Sequence, residues 1–399
     1  MAAAHEFQQE LDRILDYWAT HMPDEQFGGF HGQITDGNEV VAQAPKGAVL
    51  NARILWTFSA AYRHQGQPEH LALATRAFEY IEQHFLDPVH GGVFWSVDYR
   101  GQPLDTKKQI YALAFTIYGL SEYHAACGNE RAQQHAIALF QSIERHSFDA
   151  EEGGYLEALA RDWAPLTDLR LSDKDANEKK TMNTHLHVLE GYTNLYRRWP
   201  DAYLRVQIEE LLEVFLTYLV DSTTQHLHLF LDEEWQPKST AVSFGHDIEA
   251  AWLLLEAAEV LGEEDSIVRF RQLAVDMAAA AAQGLDVTGS LNYEFDPARQ
   301  HWNREKHWWV QAEAMVGFLN AYELTKQPRF YEQFVAVWEF TRRHLLDYAH
   351  GEWHWGIAEG GAPMAGEDKA GFWKCPYHNG RACLEVLHRL ARIEQPVTA

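Results

Sequence analysis

The sequence predicts an all-α toroid, an (α/α)6 barrel whose short β-hairpins gather at one end. A block rich in Gly, aromatic and turn residues recurs six times along the 399 residues, at intervals of roughly 60 to 75 residues, the self-similarity that marks a repeat architecture. Each interval carries two stretches in which apolar residues recur at helical spacing. No linker interrupts the series, so 1–399 reads as a single domain.

The six blocks are FGGFHGQITDG (27–37), HGGVFWSVDYRGQPL (90–104), EGGYLEALARDWAPL (152–166), QHLHLFLDEEWQPK (225–238), TGSLNYEFDPARQHW (288–302) and HGEWHWGIAEGGAP (350–363). Bulky residues alternate with small or polar ones and are broken by Asp, Gly and Pro, the pattern of a strand, a turn and a second strand. Such hairpins are too short to build a sheet core, so they decorate a helical body. Helical periodicity fills 50–62 and 70–85 after the first block, and 110–123 and 131–146 after the second. Gly128 and Gly262 each follow such a stretch, where a left-handed residue closes a helix. Two helices and a hairpin, turning six times in the same sense, give an inner ring inside an outer ring with every hairpin at one rim. An open solenoid is the alternative, and the near-constant period favours closure. The charged run 173–180 lengthens the third connection into a loop expected over the rim.

Composition narrows the function. With 46% hydrophobic and 23% charged residues the chain can bury a large core, which excludes disorder. The 14 Trp, 17 Tyr and 20 Phe supply flat apolar faces that suit sugar rings as well as cores. A formal charge of −25 repels phosphate backbones and anionic lipid, so nucleic-acid and membrane-surface binding are disfavoured and a neutral small molecule is the expected partner. Cys127, Cys375 and Cys383 lack CxxC spacing and indicate neither a disulfide framework nor a thiolate metal site. The first residues lack the basic start and apolar run of a signal peptide, and no segment nears the ~20 apolar residues of a membrane span, so a cytoplasmic location is expected. The oligomeric state is not readable from the pattern, and a monomer is compatible with it.

The chemistry lies in a polar or aromatic cluster that follows every hairpin, at the start of the helix expected to be inner. The clusters contain Asn51 and Arg53; Lys108 to Tyr111; Asn183, His185 and His187; His246 and Glu249; His307, Trp308, Trp309 and Glu313; and Trp373 through His378 to Asn379. Polar groups at buried helix starts cost free energy unless paired, so six in register point to a wet functional pocket. His246 and Glu249 share a helix face at i, i+3, where the carboxylate is expected to orient the ring; a core histidine with a local hydrogen bond is the alternative. His185 and His187 are two apart and point to different sides. Asn183 shares a face with His187, which makes His187 the functional one and His185 structural. An HxH pair serves a metal mainly from a strand, and HExxH is missing, so no metal is expected. Trp308 and Trp309 are hard to bury together, so one of Trp308, Trp309 and Trp373 is expected to stack on a sugar.

The segments KGAVLNARILWTF (46–58), MNTHLHVLE (182–190), SFGHDIEAAWLL (243–254), HWWVQAEA (307–314) and GFWKCPYHNGRACLE (371–385) carry a resemblance across essentially the whole chain. With them the sequence resembles the N-acylglucosamine 2-epimerase superfamily and, within it, the cellobiose 2-epimerases. The resemblance implies an (α/α)6-barrel catalytic domain and cofactor-free epimerisation at C2 of a reducing sugar. It implies that His246 and His378 are the proton-transfer pair and that His187 assists proton movement between the C1 and C2 oxygens. It further implies that Arg53, Tyr111, Asn183, Glu249, Trp309 and Trp373 bind or support the sugar, with Asp175 toward a distal ring. Trp308 and Glu313 join the expected substrate-binding set from their place in the fifth cluster.

Cellobiose and lactose, β-1,4-linked disaccharides, are the expected substrates, with free mannose or glucose as the alternative because monosaccharide epimerases of the family share most of this set. A glycoside hydrolase would need two carboxylates flanking a glycosidic bond, and Glu249 and Glu313 are the only clear candidates among the histidines. A non-catalytic carbohydrate-binding protein is the third class.

Overall fold

The computed structural model describes residues 2–394. The inner ring is α2 (Ala48–Gln65), α4 (Ile110–Cys127), α6 (Met182–Tyr196), α8 (Phe244–Leu261), α10 (Trp308–Thr325) and α12 (Tyr377–Glu394). The outer ring is α1 (Ala2–His21), α3 (Pro68–Tyr80), α5 (Glu130–His146), α7 (Ala202–Val214), α9 (Glu264–Ala281) and α11 (Pro328–Phe340). Each inner helix packs on the next, α12 returns to α2, and the amino-terminal α1 covers α12, so the toroid is closed. Outer α3, α7 and α11 continue through a single π-helical turn at Ile81–Phe85, Phe215–Leu219 and Thr341–Leu345. No helix among the described residues is long and apolar enough to cross a membrane.

Burial explains the two rings. Inner α4 is buried without interruption from Ile110 to Tyr123, whereas outer α5 buries only Ala132, Ala136, Leu139, Phe140 and Ile143, a stripe at i, i+3 and i+4. A helix apolar all round must be surrounded, and one with a stripe must face outward. Glycine sets the closest approach within the inner ring: a Cβ on Gly119 would lie 2.6 Å from the Ala52 carbonyl oxygen, and one on Gly191 would lie 2.7 Å from that of Ala114. Gly191→Ala is therefore expected to push α6 off α4 and cost about 1–3 kcal/mol, the usual penalty for overpacking, measured as a lower urea midpoint with an unchanged slope.

The hairpins do more than decorate. Each two-residue strand entering an inner helix pairs with the hairpin of the following repeat: Lys46–Gly47 with Ser96–Val97, Lys108–Gln109 with Ala158–Leu159, Lys180–Thr181 with Phe230–Leu231, Val242–Ser243 with Glu294–Asp296, and Lys306–His307 with Gly356–Ile357. A bridge between Ile34 and Ala370 closes the circle. Six aspartates after the outer helices, such as Asp87 and Asp347, accept backbone N–H groups of the following turn. Five of them also hold a buried lysine, Asp24 with Lys46, Asp87 with Lys108, Asp149 with Lys180, Asp286 with Lys306 and Asp347 with Lys369, at 2.6–2.9 Å; the first four lysines stand two residues before an inner helix and Lys369 eight before α12. Val242 takes that place in the fourth repeat. These clamps fix the rim on which the first turns of the inner helices stand.

Candidate active site

Those first turns converge at the hairpin end. His246, half-buried in the first turn of α8, packs on the Trp309 ring at a centroid distance of 4.8 Å. The same indole lies 5.8 Å from His378 in the first turn of α12. Two imidazoles from different repeats thus face one aromatic plate. His187 on α6 lies 5.0 Å from Tyr111 and 4.6 Å from Phe115, both on α4.

The hydrogen-bond partners distinguish the three rings. His378 Nδ1 is 2.7 Å from Glu313 Oε1, and His187 Nδ1 is 2.8 Å from Glu190 Oε2. An ionised carboxylate only accepts, so both Nδ1 atoms carry hydrogen and each Nε2 keeps its lone pair. His246 Nδ1 instead lies 2.8 Å from the Ser243 hydroxyl, which can donate or accept and so leaves the tautomer free. Burial lowers all three histidines. It holds His246 down to about 3, helped by the charges of His187 and His378, and His378 down to about 3 although Glu313 pulls it back upward. At neutral pH the site therefore offers neutral imidazoles.

Behind the histidines Arg381 binds three carboxylates. One guanidinium nitrogen donates to Glu190, and the other donates to Glu249 Oε1 at 2.7 Å and Glu313 Oε1 at 2.6 Å. Arg381 and His378 hold Glu313 down to about 2 against the effect of burial. Glu190 is lowered as well, chiefly by Arg381 against the same penalty. Burial and the charge of Glu313 push Glu249 up to about 8, so it keeps its proton at neutral pH. Of the ionised pair Glu190 and Glu313, Arg381 is the cation bonded to both. Arg53 makes no ion pair among the described residues: its Nη2 donates to the Tyr111 hydroxyl at 2.8 Å, its Nη1 lies 3.4 Å from the Trp373 carbonyl, and its guanidinium stacks on Phe115 and Tyr377. Its charge remains directed at the site.

Because Glu249 is neutral, Glu249→Gln is expected to retain epimerisation at pH 7 within a few-fold. The folded protein binds the Glu249 proton up to about pH 8 and the unfolded chain only to about 4.5, so this group makes stability fall as pH rises between those values. Urea unfolding at about pH 6 and about pH 9 should show that decline in the parent protein and a smaller one in the glutamine variant.

Beside His246 a narrow cleft of about 60 Å³ is lined by Glu157, Asn183 and Leu229 and roofed by Arg170, Leu171, Asp175 and Ala176. The long third connection therefore lies over the rim where the sequence placed it. Asp175 accepts from the Ser172 amide and hydroxyl at 2.9 and 3.0 Å, and Asn183 Oδ1 has no partner among the described residues. Trp373 is half-buried, edge-on to Tyr111 at 6.2 Å.

Several expectations change. Glu249 does not orient His246; its Oε1 is on Arg381, and Ser243, the residue before α8, supplies the partner. Both Glu313 oxygens are engaged within the protein, Oε1 shared by His378 and Arg381 and Oε2 accepting from Trp252 Nε1 at 3.1 Å. Trp308 turns into the wall, 3% exposed against Trp355 and Lys374, while its neighbour Trp309 faces the histidines, since one step along a helix turns a side chain by roughly 100°. His185 is structural: Nδ1 donates to the Thr181 carbonyl and Nε2 accepts from the Tyr155 amide. Arg381, Glu190 and Ser243 went unread. Glu190 stands three residues after His187 and Arg381 three after His378, the spacing already read for His246 and Glu249. Ligand atoms of Glu249, Glu313 and His378 lie within 4.8 Å of one another, a set that would suit a metal ion, but the Arg381 guanidinium fills the place of the cation.

The family pattern for N-acylglucosamine 2-epimerase (GlcNAc 2-epimerase) matches residues 28–382. A cellobiose 2-epimerase of Bacteroides fragilis is 52% identical over 383 residues, covering 96% of this chain and 98% of that protein. Among solved structures, the cellobiose 2-epimerase from Spirochaeta thermophila superposes with a TM-score of 0.93 at 40% identity, over 99% of this chain and 98% of the other. That from Bacillus thermoamylovorans gives 0.93 at 38% identity, over 97% and 99%.

Proposed function

The chain belongs to the N-acylglucosamine 2-epimerase family and is a carbohydrate epimerase, and from that premise we propose that it inverts C2 of the reducing-end ring in β-1,4-linked disaccharides such as cellobiose and lactose. The observation that carries the reading is the pair of imidazoles, His246 and His378, that come from different repeats and both pack against the Trp309 ring. The disaccharide preference is supported by the whole-length likeness to proteins named cellobiose 2-epimerase and by the loop over the rim beside His246.

A proton on carbon beside an aldehyde is far less acidic than an imidazolium, so it leaves only if the enediolate is stabilised as it forms. Arg53 with Tyr111 supplies charge and a hydrogen-bond donor, and the inner helices present their N-terminal, partly positive ends to the same space. Once the ring has opened, one neutral imidazole takes the C2 proton; the other, neutral in the free protein, must take up a proton as the sugar binds before it can return one to the opposite face. Glu313 makes His378 better able to hold positive charge than His246, whose partner is a hydroxyl. We assign His246 as base and His378 as acid in one direction, with the roles exchanged in the other. His187, backed by Glu190, carries protons between the C1 and C2 oxygens.

Incubation with cellobiose, lactose, mannose and N-acetylglucosamine in deuterated water tests the reading. Epimers of the two disaccharides with deuterium at C2 are the expected products. Release of monosaccharide from cellobiose would point to hydrolysis, turnover of mannose alone to a monosaccharide epimerase, and binding without C2 exchange to a non-catalytic role.

A further inference from the structure

In four repeats the first residue of an inner helix donates its amide to the same place in the following hairpin: Ala48 to the Trp95 carbonyl, Ile110 to that of Glu157, Met182 to that of Leu229 and Trp308 to that of Trp355. Three of these places hold aromatic or aliphatic side chains, and the fourth holds a carboxyl that is 1% exposed. We propose that Glu157 is a positioning residue, which ties down the roof of the cleft beside His246 and so sets how tightly the disaccharide is held.

The carboxyl gathers both ends of that roof. Its Oε2 accepts from the Thr181 hydroxyl at 2.7 Å, where the third connection ends and α6 begins, and its Oε1 accepts from the Thr184 hydroxyl at 2.8 Å. Oε1 also accepts from Gln109 Nε2 at 3.3 Å, and the same amide nitrogen donates to the Leu169 carbonyl at 3.0 Å, just before the roof. Between these anchors Arg170, Leu171, Asp175 and Ala176 cover the cleft. Stability does not account for the residue. No cation is bonded to Glu157 among the described residues, and burial pushes it up to about 7 against the two threonine hydrogen bonds, with the charge of Asp175 on the roof adding to the rise. The folded protein holds this proton more tightly than the unfolded chain, so the group's contribution to stability falls as pH rises from about 4.5 to about 7. The fourth repeat makes the same backbone bond with Leu229 in that place. What only an acceptor supplies is the link between Gln109 before α4, the first turn of α6 and the roof. His187, a turn further along α6, is held by Glu190 instead, so the tether acts on binding more than on proton transfer.

Because the roof lies where a distal ring is expected, the effect on the disaccharide rests on the function proposed above, whereas the motion of the roof does not. Glu157→Leu puts the side chain of the fourth repeat into the third. Hydrogen exchange of residues 170–178, read by mass spectrometry on the full-length protein without sugar, should be faster than in the parent, with a cooperative urea transition retained. KM for cellobiose should rise about 5-fold or more, the net worth of one hydrogen bond in the anchor, with kcat near its parental value. A side chain that merely fills space would move neither quantity, so parental exchange or a parental KM overturns the proposal. Should Glu157→Leu fail to fold, Glu157→Gln keeps the shape and leaves an acceptor for one threonine only. It should give both changes in smaller measure, and parental exchange or KM overturns the proposal equally. A parent that leaves cellobiose unconverted overturns the disaccharide reading instead, and the tether is then judged by exchange and by KM for the sugar that is converted.

Discussion

Replacing either His246 or His378 by alanine is expected to lower kcat by about 10²–10⁴-fold, the contribution of one positioned acid or base, with little change in stability or in disaccharide binding. Both rings meet the Trp309 plate, and each has one nitrogen engaged, by Ser243 or by Glu313. The variants should differ in what remains. If the two imidazoles serve opposite faces, each variant can still exchange the C2 proton of one epimer with deuterated water while failing to invert it, and the exchanging epimer should switch between His246→Ala and His378→Ala. Proton NMR of both epimers after incubation with each variant measures this. More than about a tenth of parental turnover in either variant removes that residue from the chemistry, since even the low end of the acid–base range exceeds tenfold. Glu313→Gln belongs to the same series as a positioning change. It keeps the shape, weakens the support of a positive His378, and should depress kcat while leaving KM near its parental value.

The repeats were legible because a hairpin must carry Gly, Asp and aromatic residues whatever the helices around it do. Inner helices were harder to tell from outer ones by periodicity, because α4 and α10 are apolar on every face and have no stripe. What marked them was the polar cluster at each start, and those clusters do meet at the rim. The pairing of Lys46–Gly47 with Ser96–Val97, and its counterparts around the ring, was not readable, since two-residue strands have no pattern of their own. Within the site, the histidines were named from sequence, but their partners were misjudged wherever another repeat competed. Glu249 stands at the right spacing for His246, yet Arg381, 132 residues further along, captures it. A local spacing rule sees neighbours on one helix. A barrel axis brings six helices together, and a buried guanidinium outcompetes a neutral ring for a carboxylate.

That guanidinium is the second place where a single change should have a large effect. Arg381→Met leaves Glu190, Glu249 and Glu313 in a fully buried layer without the cation to which all three are bonded. Removing one partner of a buried ion pair commonly costs about 3–5 kcal/mol, because the remaining charge keeps its desolvation penalty and loses its compensation. The pH dependence carries the sign. In the parent, Glu190 and Glu313 are held below their ordinary value, so their contribution is present above about 4.5 and is lost only as pH falls toward the folded values, about 2 for Glu313. Without Arg381 the main cause of that lowering is gone and burial raises both groups, so the folded state binds their protons more tightly than the unfolded chain. Stability then declines as pH rises. The deficit of Arg381→Met relative to the parent should therefore be smallest near pH 5 and grow toward pH 8, read from urea midpoints across that range. Arg381→Lys restores a charge but not the fork that spans two oxygens of different side chains, and should recover part of the stability and little of the activity. An Arg381→Met protein with parental stability at pH 8 would mean that Glu190 and Glu313 are not held as ions by this residue, and the charge assignment that leaves Arg53 for the enediolate would have to be redrawn.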